Sequence, residues 1–365
     1  MDAFLVNKRI DLVDFDGLKL FMLEDDNLYR VAVPENRKHQ DLGSYQQSLR
    51  TQGTPPSPVT PANVSQVTSA RYGPFVVMHH LWERGTDFVV LDIGSHIGDF
   101  GLKVGNFIRT CGRNTKVITF DPSEAGALVP YSIELNQLEG IIKHEMLAVS
   151  DHGGLVLFRY RPGHAEAAEI AGTNQGAVTL GLIWLKRFRQ LPLWRRIKAC
   201  FSLGFAALRR AVWSGKVADS YATIVHSVDI LDYLEHAQFD TNVFAKIDIE
   251  GHDPQVINRL LNLLPQRKIF VIFEFTPIRF ADHQAASQYL ARLAKDFYIF
   301  DLFYCPNPTR CQQIAPDRLS SFVTEVSERP QGYTDVFLLD KRAPDCEELL
   351  KRLGSLVPEP DMLVL

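Results

Sequence analysis

The segment VFAKIDIEGHD (residues 243–253) sets Lys246, Asp248 and Glu250 at alternate positions, with Ala245, Ile247 and Ile249 between them. Alternate residues of a β-strand share a face, so three charges line one side of an otherwise apolar strand. Charges taken out of water unpaired are costly, so the row must pair internally, reach the water-filled edge of a sheet, or bind something. One reading is structural: Lys246 pairs with Asp248 or Glu250, and the chain then caps a helix that starts at Asp253-Pro254. The other is a catalytic rim, in which Asp248, Glu250 or His252 accepts a proton and Lys246 holds or tunes them. Glu274, alone within KIFVIFEF, is a second solitary carboxylate at a strand end. With Asp248 and Glu250 it offers oxygen ligands to a hard divalent cation, but a base with its partners accounts for the three as well, and no metal is expected.

A second chemical stretch is VVLDIGSHIGDFGL, residues 89–102. A strand ending in Asp92, a tight turn at Gly94 and a helix beginning near Gly98 expose backbone N–H groups at the strand's carboxyl end. A dinucleotide site needs the longer ladder GxGxxG and no anion facing the phosphates. Here the pattern is DxGxxxG, and Asp92 suits a ligand carrying positive charge, such as the amino group of a methionyl moiety. That favours S-adenosyl-L-methionine over NAD, with Ser95 and His96 completing the loop. The run VITFDPS ends in Asp121, placed beside Asp92 in a parallel sheet, where a carboxylate can accept hydrogen bonds from ribose hydroxyls. Asp121 followed by Pro122 also reads as a helix N-cap, and both roles can hold at once. Ser150, which closes the run KHEMLAVS, counts as a further cofactor contact.

These residues need strands and helices to hold them. From Tyr72 onward, short apolar runs (DFVVLD, KVITFD, KHEMLAVS, VFAKIDIE, KIFVIFEF, FYIFDLF, TDVFLLD) alternate with helical periodicity such as Val256, Ile257, Leu260 and Leu261. Strands apolar on both sides and separated by helices imply a mostly parallel α/β sheet covered on both faces. Residues 10–33 predict two or three small strands with tight turns. Residues 34–68, with TQGTPPSPVTP and few apolar side chains, predict a linker or lid. The expected domains are a β-rich extension and linker at 1–70, a main domain at 71–345 and a tail at 346–365.

Residues 170–218 interrupt the pattern, with nine Lys or Arg, no Asp or Glu, and three of the four tryptophans. Trp194, Ile197, Phe201, Phe205, Leu208 and Val212 recur at helical spacing, which predicts a basic helical insertion at 181–216. Such a segment suits an interfacial anchor or a dock for a lipid-linked substrate, but the favoured reading is a helical hairpin packed on the core with its arginines in solvent. The chain of 365 residues, 46% hydrophobic, can bury one large core, and a net charge of −4 gives no global attraction to nucleic acid. Five scattered cysteines, of which only Cys305 and Cys311 lie close, form neither a disulfide framework nor a zinc motif. No run reaches the roughly 18 uncharged apolar residues of a membrane span. The expected location is cytoplasmic, with 181–216 as the one peripheral membrane contact.

Taken together, DIGSHIG (92–98), FDP (120–122), ELNQL (134–138), SVDIL (227–231) and KIDIEGHD (246–253) resemble, in order, the motifs of the FkbM-type methyltransferases, a class I S-adenosylmethionine-dependent family. The resemblance spans roughly residues 72–280. Ser95 and His96 stand where the family has Ala-Asn, Asp121 replaces Glu, Val228 replaces the Leu of the TLD step, and Asp253 replaces the second Glu after the EG pair. The resemblance implies a Rossmann-like three-layer sandwich with a seven-stranded, mostly parallel sheet of order 3-2-1-4-5-7-6. It implies S-adenosyl-L-methionine held by Asp92, Gly94, Gly98 and Asp121, and O-methylation of a hydroxyl on a sugar, glycan, glycolipid or natural-product precursor. An NAD(P)-dependent oxidoreductase, or a non-catalytic binding protein on the same core, remains an alternative.

Overall fold

In this computed structural model, residues 10–15, 18–23, 73–161, 164–170, 221–302 and 311–355 are described. A hairpin of β1 (Ile10–Phe15) and β2 (Leu18–Leu23) precedes α1 (Gly73–Glu83), β3 (Phe88–Ile93), α2 (Asp99–Thr110), β4 (Val117–Phe120), α3 (Val129–Leu135) and β5 (Ile142–Glu145). Next come β6 (Ala148–Ser150), β7 (Gly154–Arg161), β8 (His164–Ile170) and β9 (Tyr221–Asp229). The chain continues through α4 (Ile230–His236), β10 (Asn242–Ile247), α5 (Asp253–Leu260), β11 (Ile269–Phe275), α6 (His283–Leu293) and β12 (Phe297–Asp301). It closes with β13 (Gln312–Ile314), α7 (Leu319–Glu328), β14 (Thr334–Asp340) and α8 (Cys346–Gly354).

The main sheet runs β13-β12-β14-β11-β10-β3-β4-β5. Strands β5, β4, β3, β10 and β11 are mutually parallel, and β14 is antiparallel to both β11 and β12. Counted along the chain from β3, and leaving aside the short edge strand β13, this is the order 3-2-1-4-5-7-6. The sheet therefore has one strand more than the seven expected. A second, four-stranded sheet has the order β6-β9-β7-β8. The run KHEMLAVS, read as a single strand, serves both sheets: β5 pairs with β4, and β6 pairs with β9.

Strand alternation fills two separate cores. Phe88, Val90, Val117, Phe244 and Phe270 face one way with Val104 and Ile108 of α2, Met78 and Leu81 of α1, and Leu349 and Leu353 of α8. Val89, Leu91, Ile93, Val243, Ile247 and Val271 face the other way, against α4, α5, α6 and α7. Period-2 burial on both faces is what makes the sheet the middle of three layers. Two segments that the sequence sets outside the main domain pack onto it. Leu20 and Met22 of the hairpin join the first core, and Phe21 N–H donates to Ser132 Oγ at 3.0 Å. Asn136, from ELNQL, brackets Lys19: its Oδ1 accepts the Lys19 N–H at 3.1 Å and its Nδ2 donates to the Lys19 carbonyl at 2.7 Å. Residues Cys346–Gly354, assigned above to a tail, form α8, whose Leu349 and Leu353 are fully buried. The linker at 34–68, Cys305 and the insertion at 181–216 lie outside the described residues.

Candidate functional site

The parallel register brings the chemical residues to one edge. Lys246 of β10 lies opposite Asp92 of β3, and the Asp248 N–H donates to the Ile93 carbonyl at 2.9 Å, so the loops after β3 and β10 start side by side. Gly94 has φ +78, and a Cβ there would stand 1.9 Å from the Asp248 carbonyl oxygen. The glycine is thus required by the chain's own close approach. Gly98, at φ +79, faces Val129 at 2.9 Å in the same way. Gly101, which the sequence reading passed over, donates its N–H to Asp92 Oδ2 at 2.9 Å, and a Cβ there would meet Thr119 at 2.4 Å. This third glycine lets α2 lie against the strand end, and its position seven residues after Gly94 was the available signal.

Asp92 is fully buried, and its Oδ1 has no hydrogen-bond partner. Burial lifts its carboxyl to about 7, against the pull of Lys246. Ser95 is 3% exposed, and its Oγ likewise has no partner. Asp121 sits at the end of β4, where its two oxygens accept the His96 N–H at 2.7 Å and the Ser123 N–H at 2.8 Å. It braces the glycine loop and the following turn at once. His96 takes a left-handed φ of 50.

Beyond Ile247 the chain leaves the strand, so alternation no longer places Glu250. A left-handed turn does so instead, with φ 51 at Glu250 and φ 98 at Gly251. A non-glycine residue held there is strained and persists only where surrounding contacts fix it. The fixing contact is Arg279, in the turn after β11, whose guanidinium is ion-paired with Glu250. The same guanidinium lies 3.3 Å from Glu274 and 3.9 Å from Asp253. Arg279 was missed from sequence because nothing in TPIRF marks it; only the fold carries it to the β10 loop. Asp253 lies in the first turn of α5 and accepts the Gly251 N–H at 3.1 Å, so it closes the turn that displays Glu250.

The carboxylates differ in charge. Burial raises Glu250 to about 7 although Arg279 opposes it, and raises Asp253 to about 6. Glu274 stands well above its ordinary value through burial and the neighbouring Glu250. Burial works most strongly against the Asp248 charge, but Lys246, donating to it at 3.0 Å, and Arg279 together keep this carboxyl below the usual range. Asp248, Glu250 and Glu274 each present an oxygen within 4.8 Å of the others, a spacing that suits a hard cation as well as a shared proton. A pocket of about 250 Å³ opens beside them, walled by Arg279, Glu274, Thr276 and Phe280.

Two expected residues are not brought to this cluster. The Ser150 hydroxyl pairs with Ser227 Oγ at 2.7 Å, joining β6 to β9. His252 faces Asp151, with Nε2 at 3.8 Å, too long for a hydrogen bond, and burial lowers its basicity.

No family model matches the chain, and no curated protein matches it. Among solved structures, a methyltransferase FkbM from Methylobacillus flagellatus KT is similar over 69% of this chain, with 12% sequence identity and a TM-score of 0.34. The chain spans 43% of that protein, less than half its length.

Proposed function

We propose that the protein is an S-adenosyl-L-methionine-dependent methyltransferase acting on an acceptor hydroxyl. The observation that carries this reading is the charge of the carboxyl edge. Among the described residues, Asp92, Asp248, Glu250, Asp253 and Glu274 gather there around Lys246 and Arg279, and a buried Asp92 oxygen is left without a partner. An edge so rich in carboxylates repels a dinucleotide pyrophosphate and attracts a cation. The cofactor carries two positive groups, its amino group and its sulfonium. The residues present fit it in part: Asp92 Oδ1 and Ser95 Oγ are free to receive its polar groups, while Asp121 is engaged with the loop.

When bound, the cofactor supplies an electrophilic methyl group. The chain's own task is to orient an acceptor hydroxyl and to take its proton. Glu250, poised at about 7 and held by Arg279, which walls the pocket, is the group suited to that proton, a role worth typically about 10²- to 10⁴-fold in rate. Turnover should therefore rise with pH through about 7 as Glu250 ionises. Lys246 keeps Asp248 charged, so Asp248 repels a second negative charge and holds Glu250 near neutrality. The acceptor class stays the one the resemblance implies, a hydroxyl on a sugar, glycan, glycolipid or natural-product precursor. The deciding experiment is thermal protection by S-adenosylmethionine set against NAD and NADP, followed by mass spectrometry of candidate acceptors for a gain of one methyl. Protection by a nicotinamide cofactor alone would favour the oxidoreductase.

A further inference from the structure

The pocket beside the carboxylates has two unlike sides. Phe280 forms the apolar side, and two ring contacts fix it there, with centroids 5.8 Å from Phe275 and 5.3 Å from Tyr289. The polar side is made by Asp253, Gln255, Glu274 and Arg279. Asp253 and Glu274 are already engaged. One accepts the Gly251 N–H at 3.1 Å, the other accepts from the Thr276 hydroxyl at 2.8 Å, and both lie beside the Arg279 guanidinium. Gln255 differs from them: it is half-buried in the first turn of α5, and its Oε1 is shielded from water with no hydrogen-bond partner.

Size and charge narrow what can enter. At about 250 Å³ the pocket falls below the range of roughly 300–1,000 Å³ that holds a drug-sized molecule, so it takes one ring and leaves the rest of a larger ligand outside. Among the described residues of its wall Arg279 is the only base, and Glu250, Glu274 and Asp253 already surround it. An anion entering the pocket meets acids and no free base, and an ammonium group meets the guanidinium itself. What fits is an uncharged ring with a face that lies on Phe280 and an edge hydroxyl that donates to Gln255.

We propose that this pocket is the acceptor subsite and that it selects a single uncharged ring bearing hydroxyl groups, with Gln255 and Phe280 as the residues that set the preference. The acceptor role rests on the methyltransferase reading; the binding preference does not. The pocket shares Arg279 with Glu250, so a ring held there lies next to the group suited to take its proton. Acceptors that carry phosphate or carboxylate on the reacting ring are thereby excluded, and the unit recognised is one ring and not the larger molecule behind it. Neither selecting residue belongs to the motifs that carry the family resemblance, since KIDIEGHD ends at residue 253 and Phe280 follows the strand after it.

The test is saturation-transfer NMR on the full chain, with and without S-adenosylhomocysteine. The methyl glycosides of glucose, galactose and mannose serve as neutral probes, and glucuronic acid, glucose 6-phosphate and glucosamine as charged probes of like size. At least one neutral glycoside should give a signal, and the charged probes should give signals at least fivefold weaker at equal concentration. Gln255→Leu and Phe280→Leu should each weaken binding of that glycoside at least fivefold while keeping the melting temperature. Absence of signal from every neutral glycoside overturns the proposal, as does equal binding of glucuronic acid, preference for glucosamine, or unchanged binding in both variants. Thermal protection by S-adenosylmethionine on the same samples judges the methyltransferase reading separately. Glycoside binding without that protection would support the pocket's preference and overturn its acceptor role, whereas protection without glycoside binding would keep the reading and overturn the subsite.

Discussion

Two buried ion clusters at strand ends of the same sheet are built in opposite ways. At the end of β12, Asp301 is 1% exposed; its oxygens accept from Arg329 at 3.2 and 2.6 Å and from Thr334 Oγ1 at 2.6 Å. The buried acid meets its base in a two-pronged pair with an added hydroxyl, the arrangement that satisfies a buried carboxylate, and the exposed Glu325 joins the same guanidinium at 2.8 Å. At the edge formed by β3, β10 and β11, five carboxylates share two Lys or Arg side chains among the described residues, and four of the five are pushed upward by burial. The closed cluster has nothing left to bind. The open one can reach neutrality only with protons or an added cation, and that separates structure from function.

The sharpest way to break this contrast is to remove one acid from each cluster. Glu250→Gln keeps shape and loses the charge, so turnover should fall at least ~100-fold with cofactor affinity nearly unchanged. Asp301→Asn should leave the turnover of folded protein intact and cost about 3 kcal/mol of stability, because Arg329 loses its buried counter-charge. Urea melts and kcat on both variants read the two effects. A Glu250→Gln protein that melts early but turns over normally would place the open cluster with the closed one. Next in size, Asp92→Asn should weaken S-adenosylmethionine binding about tenfold, or about 1.4 kcal/mol, measured by calorimetry. Wild-type affinity in that variant would remove Asp92 from the site.

The smallest effect is in pH. Asp92, Glu250, Asp253 and Glu274 all bind protons more readily when folded than when unfolded. Their stabilisation is fully present below the unfolded values near 4 and is lost as pH rises through about 6 to 7. Asp248 has the opposite sign, and its contribution changes only below the unfolded value near 4, outside this window. The melting temperature should fall between pH 5.5 and 8 by a few degrees, on the order of 5 °C. A rise across that window would mean the cluster is already balanced.

The strand runs and their parallel order were legible in the sequence because both faces of the sheet are covered, so each run is apolar throughout. The Lys246–Asp248 pair was legible too, since Asp248 lies one residue past the end of β10 and still pairs with the strand beside it, donating its N–H to the Ile93 carbonyl. Glu250 was found by an argument that the structure replaces: it reaches the cluster through a left-handed turn after the strand has ended. Arg279 and Gly101 escaped notice because their partners are fixed by long-range packing, between β10 and β11 for one and between α2 and β4 for the other. Ser150 was misplaced for a related reason. The run that contains it divides between two sheets, and periodicity within one strand carries no sign of such a division.

The central claim, that the open cluster stores protons in place of a cation, is tested most directly by titrating S-adenosylmethionine into the protein at pH 6.5 in buffers of different ionisation enthalpy. The account predicts tight binding with release of at least roughly half a proton per site, less release with S-adenosylhomocysteine, which lacks the sulfonium charge, and less again in Asp92→Asn. Heats that do not depend on the buffer, or binding of NAD in preference to S-adenosylmethionine, would contradict it.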